Sequence, residues 1–278
     1  MRDRKDGKVI TIDNDPFHSI VPYVMPKRTE AEVSATETFD VTKLLKKLES
    51  YNKKNGTNLK LFHAFCMAAG KTIYHRPKLN IFIAGRRYYQ RNDITLSFVA
   101  KQKFADEAIE TLMFMKIKPE DTILSISKQI LGDVEKARSD GSNSLDDTMN
   151  FVGKLPRFIL EIVFWVVRKM EYFGIVPESL KKGDPNYSTM LLSNLGSIKA
   201  VSCYHHLSNY GTCSIMSTIG TIKEEGKKKI LPVTITFDER IADGFYFAKS
   251  LRLIKYMLEN PDELFKTIDA EIPEDLFK

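Results

Sequence analysis

Acidic residues and a glycine crowd into one short stretch near the carboxyl end of the chain. Residues 237–244 read Phe-Asp-Glu-Arg-Ile-Ala-Asp-Gly, so Glu239, Arg240 and Asp243 lie within five positions. A positioned carboxylate can take up or release a proton during a reaction. We therefore treat residues 237–244 as the first candidate for chemistry.

The elements on either side of this stretch position it. An apolar, β-branched run over residues 230–237 predicts a strand that leads into it. After Gly244, residues 245–254 have the apolar pattern of a helix. Connections between rigid elements often carry functional side chains. A strand-to-helix connection is thus expected to hold the acids.

A hydroxyl group occupies a comparable position in a second stretch. Residues 187–192 predict a strand, and the tetrapeptide 193–196 (Ser-Asn-Leu-Gly) ends it. Ser193 precedes Glu239 by 46 positions. Structural interpretations stay open for both stretches, because a serine at a strand end can cap a backbone group and Asp243 can be a helix N-cap.

The two stretches together resemble a known family. The pattern Asp-x-Arg-x-x-Asp-Gly after a hydrophobic strand is similar to the signature of the acyltransferase core of 2-oxo acid dehydrogenase complexes and of the related chloramphenicol acetyltransferases. The tetrapeptide 193–196 resembles a second motif of this family, and residues 258–264 resemble its tail. The resemblance is close over residues 187–267 and looser over residues 30–138.

The resemblance implies a role for each matching residue. Ser193 matches the donor that stabilises an oxyanion, and Asp243 matches a structural acid that orders the site. Glu239 stands where the family has its catalytic histidine. The other matching positions are expected to support these three: Asn194, Gly196, Arg240 and Gly244.

A glutamate at the position of the catalytic base leads to two alternative expectations for the function. The unperturbed pKa of glutamate is about 4.3 against about 6.5 for histidine, which makes it the weaker base near neutral pH. Burial can raise the pKa of a carboxylate into a useful range. One expectation is a coenzyme A-dependent acyltransferase that takes its acyl group from a thioester and gives it to an unidentified small acceptor. The alternative is an inactive relative that serves as a binding or assembly module.

Other residues are candidates to replace the missing histidine and its arginine partner. His205 and His206 follow the serine motif, although such a pair is more often structural. In the family an arginine near the amino terminus pairs with the aspartate of the motif, and Ser19 stands in its place here. Arg28 is the substitute that the sequence offers.

The upstream half predicts alternating strands and helices. Residues 32–39 alternate with the period of two that is typical of a strand. A helix capped by Asp40 follows, then a second helix that stops before Pro77, and then two strands around a polar link at 85–93. Pro119 is expected to open a further helix. Little local order is expected between residue 8 and the first of these strands.

This order and the resemblance imply an α/β fold. It is a two-layer chloramphenicol acetyltransferase-like sandwich, with a mixed sheet and helices packed on one face. We expect one domain over residues 1–278, with 1–30 as an amino-terminal arm and 139–185 as a helical insertion. The resemblance further implies a homotrimer with active sites between subunits.

A strongly apolar run, residues 158–167, lies inside the expected insertion. It contains the only tryptophan of the chain and is too short to span a bilayer. The preferred interpretation is a helix packed on the core or in a contact between subunits. Contact with a membrane surface is the other interpretation.

Composition bounds the remaining possibilities. The 278 residues carry a net charge of +6, which fits either a solvated lysine-rich surface or attraction for anionic ligands such as a phosphorylated cofactor. The basic, aromatic stripe of nucleic-acid-binding proteins is missing. Three scattered cysteines predict neither a disulfide framework nor a zinc site, and we expect no metal. The charged amino terminus has no apolar signal core after it, so the cytoplasm is the expected location.

Overall fold

A mixed β-sheet forms the centre of the fold. The computed structural model describes residues 3–12, 16–101, 110–139, 152–181, 183–273 and 276. Its strands are β1 (Gly7–Ile10), β2 (Glu32–Asp40), β3 (Ile81–Ala84), β4 (Arg87–Arg91), β5 (Ile94–Lys101), β6 (Glu110–Ile117), β7 (Met190–Asn194), β8 (Ile215–Ile219), β9 (Lys223–Glu225) and β10 (Lys228–Asp238). The large sheet has the order β2-β10-β8-β7-β5-β6, with β9 paired to β10. Strand β7 runs parallel to β8 and β5, whereas the other pairs of this sheet are antiparallel.

Helices cover one face of this sheet. The helices are α1 (Pro16–Val24), α2 (Thr42–Asn55), α3 (Leu61–His75), α4 (Ile123–Ser139), α5 (Arg157–Phe173), α6 (Glu178–Lys181) and α7 (Gly244–Glu259). Alternate residues of β10, such as Val233 and Phe237, belong to the core together with the buried side of α3 and α7. The rings of Phe237 and Phe247 stack 3.7 Å apart and fix α7 to the strand that precedes it. The expected α/β fold with a mixed sheet and helices on one face is thus confirmed.

The opposite face of the sheet is polar and carries an extended segment, residues 200–208. The backbone N–H of Cys203 donates to Thr218 Oγ1 at 3.1 Å. Farther along, the N–H of Leu207 donates to Glu32 Oε2 at 2.9 Å. The segment therefore crosses from β8 to β2 over side chains that do not belong to the helix-covered core.

A second, three-stranded sheet corrects two expectations about the first half of the chain. Its order is β1-β4-β3, and all its pairs are antiparallel. Residues 85–93, expected as a link, contain β4, because Gly85 and Arg86 form a tight hairpin turn with φ of 55° and 60°. Residues 8–31, expected to carry little order, contain α1 and most of β1, and the partner strand that orders β1 lies some eighty residues away.

Helix α4 begins later than expected. Pro119 does not open it; the helix starts at Ile123, and the cap is formed by Thr122 and Ser125. The N–H of Thr122 donates to Ser125 Oγ at 2.9 Å, and the N–H of Ser125 donates to Thr122 Oγ1 at 3.3 Å. Reciprocal caps of this kind satisfy N–H groups that have no partner inside the helix.

The apolar run at 158–167 lies in α5 and is not packed in the core. No residue of α5 is buried, and Phe158 and Trp165 are 65% and 59% exposed. The interpretation of a core-packed helix is therefore wrong for the single chain, and a subunit contact stays a prediction. The division into an arm, a core and an insertion at 139–185 also stays a prediction, since residues 140–151 and 182 lie outside the described part. Among the helices described here, none is long and apolar enough to cross a membrane.

Candidate functional site

Ser193 lies on the face of the sheet opposite the helices. Met190 and Leu192 of β7 are in the core, and alternation along a strand turns Ser193 to the other side. Its side chain is half-buried, and its hydroxyl makes no hydrogen bond to another described residue. The interpretation of Ser193 as a cap of a backbone group is therefore not what the single chain shows. The hydroxyl is free to donate to a ligand.

The turn after Ser193 requires a small residue. Residues 195–198 form one short 3-10 turn, in which Ser197 Oγ donates to the carbonyl of Asn194 at 2.7 Å. A Cβ at Gly196 would lie 2.6 Å from the carbonyl oxygen of Gly220, too close for any other residue without a backbone shift. Gly196 thus allows the turn to sit against the end of β8, and it supports Ser193 through the backbone.

A buried ion cluster fixes the other stretch. Asp238, with 0% exposure, accepts from Arg240 Nε and Nη2 at 2.7 Å each. Arg28 Nε lies 3.6 Å from the same carboxylate, and Arg28 also donates to the carbonyls of Ser208 and Gly211. Burial lowers the pKa of Arg28, and the charge of Asp238 opposes this shift. The cluster locks the end of β10 to the segment that follows α1.

Arg28 and Asp243 have different partners in the structure from those expected from the sequence. Arg28 pairs with Asp238, the first acid of the stretch, and not with Asp243. Sequence reasoning did not single out Asp238, although its place at the end of a buried apolar strand was a signal. Asp243 is the N-cap of α7, because its Oδ1 accepts from the N–H of Tyr246 at 2.7 Å. Gly244 has open space around its Cβ position, so packing does not require glycine there.

Glu239 lies between these two acids and is exposed. Its backbone N–H donates to the carbonyl of Ala31 at 2.9 Å, which holds the residue beside β2. Its carboxylate has no hydrogen bond or ion pair with the described residues. Arg240, the next residue, donates from Nη1 to the carbonyl of Met25 at 2.8 Å, which helps to fix the backbone beside Glu239. The backbone at Glu239 is therefore held in place, and its carboxylate is available for chemistry.

One chain does not bring Ser193 and Glu239 together. Ser193 pairs in register with Thr218, and Thr218 pairs with Thr234 of the antiparallel strand β10. Glu239 lies five residues beyond Thr234, which is roughly 17 Å along the strand. The two side chains thus lie at opposite ends of the sheet.

The histidine pair lies within the extended segment 200–208. His205 and His206 are exposed, and their rings stack 5.1 Å apart. His205 Nδ1 lies 2.8 Å from the carbonyl oxygen of His206. The next residue, Leu207, is bound to Glu32, and Glu32 pairs with Asp238. The pair therefore lies nearer to the Glu239 end of the sheet than to Ser193. Within the described residues, no group of three or more metal-ligating side chains is found.

Comparison with known proteins finds similarity to the family that the motifs resemble. Residues 177–266 match the model of the 2-oxoacid dehydrogenases acyltransferase (catalytic domain) family. The chain is 23% identical over 223 residues to the lipoamide acyltransferase component of the branched-chain alpha-keto acid dehydrogenase complex of Bacillus subtilis (strain 168), a match that covers 77% of this chain. It spans only 42% of the length of that relative.

Solved structures share the fold over most of the chain. A dihydrolipoamide acetyltransferase from Azotobacter vinelandii matches with a TM-score of 0.58 and 13% identity, covering 91% of this chain and 94% of that one. A serine, a histidine and an asparagine have been investigated for their role in its mechanism. A chloramphenicol acetyltransferase matches with a TM-score of 0.54 and 12% identity, covering 91% and 98%. Residues 177–266 are thus similar to the catalytic domain of the 2-oxoacid dehydrogenase acyltransferases, and the chain shares the fold of these enzymes and of the chloramphenicol acetyltransferases.

Proposed function

We propose that this chain is an acyltransferase that moves an acyl group from a coenzyme A thioester to a small acceptor. The observation that carries the proposal is that two side chains have no hydrogen-bond or ion-pair partner among the described residues. Ser193 and Glu239 lie at strand ends inside the matched region, and neither side chain has a partner among the described residues. A hydroxyl and a carboxylate that are unbound, on a backbone that is held in place, are available to substrate.

Each residue then has a role in thioester acyl transfer. Glu239 takes the proton from the acceptor as its nucleophilic atom attacks the thioester carbonyl. Ser193 donates a hydrogen bond to the oxyanion that forms, and collapse of the tetrahedral intermediate releases the thiol. Arg240 and Asp243 do not touch the reacting atoms in this scheme. They position Glu239 by holding the end of β10 and the start of α7.

The proposal requires two copies of the chain at each site. Because Ser193 and Glu239 lie at opposite ends of one sheet, they meet only if Ser193 of one copy faces Glu239 of another. A cyclic trimer brings the two ends of neighbouring copies together three times. The exposed apolar residues of α5 are available for contact between copies, since monomers rarely leave a patch of this kind uncovered.

A thiol-release assay with acetyl-, propionyl- and longer acyl-coenzyme A tests the proposal. Ser193→Ala should lower kcat by about 10²–10³-fold, the cost of removing one oxyanion donor. Ser197→Ala is the matched control, because this exposed serine lies in the same turn and bonds only to the carbonyl of Asn194. Release by the wild type no faster than the background with every thioester would reject the enzymatic function.

A second function follows from the glutamate itself. A carboxylate in the place of the family's histidine, exposed in the single chain, also fits a relative that has kept the fold but not the chemistry. Such a protein would act as a binding or assembly module. It would bind coenzyme A thioesters in calorimetry while releasing no thiol. Location in the cytoplasm remains a prediction for either function.

A further inference from the structure

A basic cleft lies beside the Glu239 stretch and takes no part in the scheme above. It has a volume of about 390 Å³. Its walls come from the segment after α1, the β3–β4 turn, helix α5 and the loop at 209–211, and Arg240 also lines it. The cleft therefore joins four separate parts of the chain next to the candidate base.

The lining of this cleft is strongly cationic. Its charged residues are Lys27, Arg28, Arg86, Arg168, Arg240 and a single acid, Glu171. The acid is already neutralised, because Glu171 Oε1 lies 2.8 Å from Arg4 Nη2. The cleft consequently has an excess of positive charge, and low-dielectric walls strengthen its attraction for anions.

Some cations of the cleft form ion pairs with a buried acid, and others do not. Arg28 and Arg240 share the buried carboxylate of Asp238. Arg86 and Arg168 are exposed, and neither forms an ion pair with a described residue. Arg168 Nε donates to the carbonyl of Phe164 at 3.2 Å, which orients the guanidinium and leaves its two terminal nitrogens free. Arg86 and Arg168 thus line the cleft without a counter-charge from the described residues.

Arg86 is held in an unfavourable backbone conformation. Its φ is 60°, in the left-handed region where turns of this type favour glycine or asparagine. The neighbouring Gly85 fixes the turn, since a Cβ there would overlap the carbonyl oxygen of Tyr172 in α5. The guanidinium of Arg86 lies 5.2 Å from the ring centre of Tyr23, a residue just outside the lining of the cleft. Strained residues persist where the surroundings or a function require them.

We propose that this cleft binds an anionic group, a phosphate or a carboxylate, between Arg86 and Arg168. Guanidinium groups bind both oxyanions through paired, charge-assisted hydrogen bonds. The anion is either a free small anion or the charged group of a ligand of the neighbouring site. The binding site itself does not depend on the proposed acyl transfer, so it is tested by binding and not by turnover.

Calorimetric titration with inorganic phosphate and with citrate at low ionic strength tests the site. Arg86→Gly and Arg168→Gln should each weaken binding by about tenfold or more, the loss of one charge-assisted contact. Arg86→Gly suits the test because glycine accepts a φ of 60°, and the melting temperature should therefore be kept or raised. Binding should also weaken as salt is added.

Arg87→Gln is the matched control. Arg87 is the next residue of the same turn and is exposed, but it does not line this cleft. It should leave the phosphate affinity unchanged. Equal weakening in Arg87→Gln and Arg86→Gly would show attraction to general surface charge and would overturn the proposal, as would the absence of heat with wild type.

Competition with coenzyme A identifies the source of the anion. Displacement of phosphate by coenzyme A in wild type, and its loss in Arg86→Gly, would mean that the phosphates of the thioester donor occupy the cleft. Phosphate binding that coenzyme A does not disturb would assign the cleft to a separate anionic ligand. None of these binding experiments measures turnover. A wild type that releases no thiol would therefore reject the acyl transfer, and phosphate binding would still confirm or overturn this site.

Discussion

Glu239 differs from the other acids of its stretch because its carboxylate has no partner among the described residues. Asp238 is bound by Arg240, and Asp243 caps α7. Both neighbours thus stabilise the folded chain, whereas Glu239 contributes only a backbone hydrogen bond to Ala31. Removal of its carboxylate should therefore change chemistry without changing folding.

Glu239→Gln keeps the shape of the side chain and removes its ability to accept a proton. If Glu239 is the base, turnover in the thiol-release assay should fall by about 10²–10⁴-fold with an unchanged melting temperature. Glu225→Gln, at an exposed carboxylate on β9, should have no effect. Equal turnover in wild type and Glu239→Gln, above background, would contradict this role and would make His205 and His206 the next candidates.

The converse substitution separates the two proposed functions. Glu239→His restores the base of the family next to an intact Asp243 cap. In an inactive relative, wild type is already as slow as Glu239→Gln, and the histidine should raise thiol release. A binding module that has also lost its substrate channel would show no gain.

His63 tests how burial shifts the pKa of a single side chain. It is 3% exposed in α3, and its Nδ1 accepts from the N–H of Lys60 at 3.3 Å. Burial lowers its pKa from 6.5 to about 4, and the charge of Lys60 adds to the shift. Between these pH values the unfolded chain binds the proton more readily, so the free energy of unfolding should rise with pH.

The expected rise is up to about 3 kcal/mol between pH 4 and 6.5. Urea unfolding at several pH values measures it, and His63→Gln should remove that part of the slope. The same slope in His63→Gln and wild type would show that other groups set the pH dependence.

At the scale of elements, an ion network ties the amino terminus to α5 and α6. Arg4 Nε lies 2.8 Å from Asp6 Oδ1, and Lys181 Nζ lies 3.0 Å from Asp6 Oδ2. Arg4 also pairs with Glu171 of α5. Although burial acts to raise the pKa of Asp6, hydrogen bonds and charge from Arg4 and Lys181 hold it well below its ordinary value.

Asp6→Asn should lower the free energy of unfolding by about 2–3 kcal/mol at pH 7, because it leaves two buried cations without their shared partner. Since the folded pKa of Asp6 is depressed, its contribution is present above about pH 4 and is lost as the pH falls further. Unfolding curves of the variant and wild type should therefore converge in acid. Asp262→Asn, which breaks an exposed pair with Lys47, should cost less than about 1 kcal/mol.

The elements that sequence predicted well are those that local pattern determines. The strand before Glu239 and α7 after it have long apolar periods; the strand was predicted with nearly correct ends, whereas α7 continues five residues beyond its predicted end at residue 254. β4 was missed because its two buried tyrosines, Tyr88 and Tyr89, are adjacent and break the alternation of a half-buried strand. β1 was missed because only its pairing with β4 orders it.

The residues of the candidate site were predicted from the sequence only in part. The motifs located Ser193, Glu239 and Asp243, because each follows a recognisable strand. The pair formed by Arg28 and Asp238 joins residues that are far apart in the chain, and no local pattern reports such a contact. The basic cleft likewise requires several separate parts of the chain to meet before its charges add. Tertiary structure alone supplies these features.

At the scale of the whole molecule, the separation of Ser193 from Glu239 decides what an active assembly must look like. If each site takes Ser193 from one copy and Glu239 from its neighbour, a mixture of two inactive variants can regain activity. Ser193→Ala supplies the intact glutamate, and Glu239→Gln supplies the intact serine. Neither variant alone contains a complete site.

Co-refolding of equal amounts of these two variants should restore about a quarter of the wild-type thiol release, because a random quarter of the sites receives both intact residues. Light scattering of the mixture should show the mass of a trimer. Ser193→Ala refolded with the Ser193→Ala, Glu239→Gln double variant should recover nothing, since no serine is then intact. A mixture that forms mixed oligomers, as a tag on one variant would reveal, yet stays inactive would rule out a site shared between copies, and a stable monomer would exclude the assembly itself.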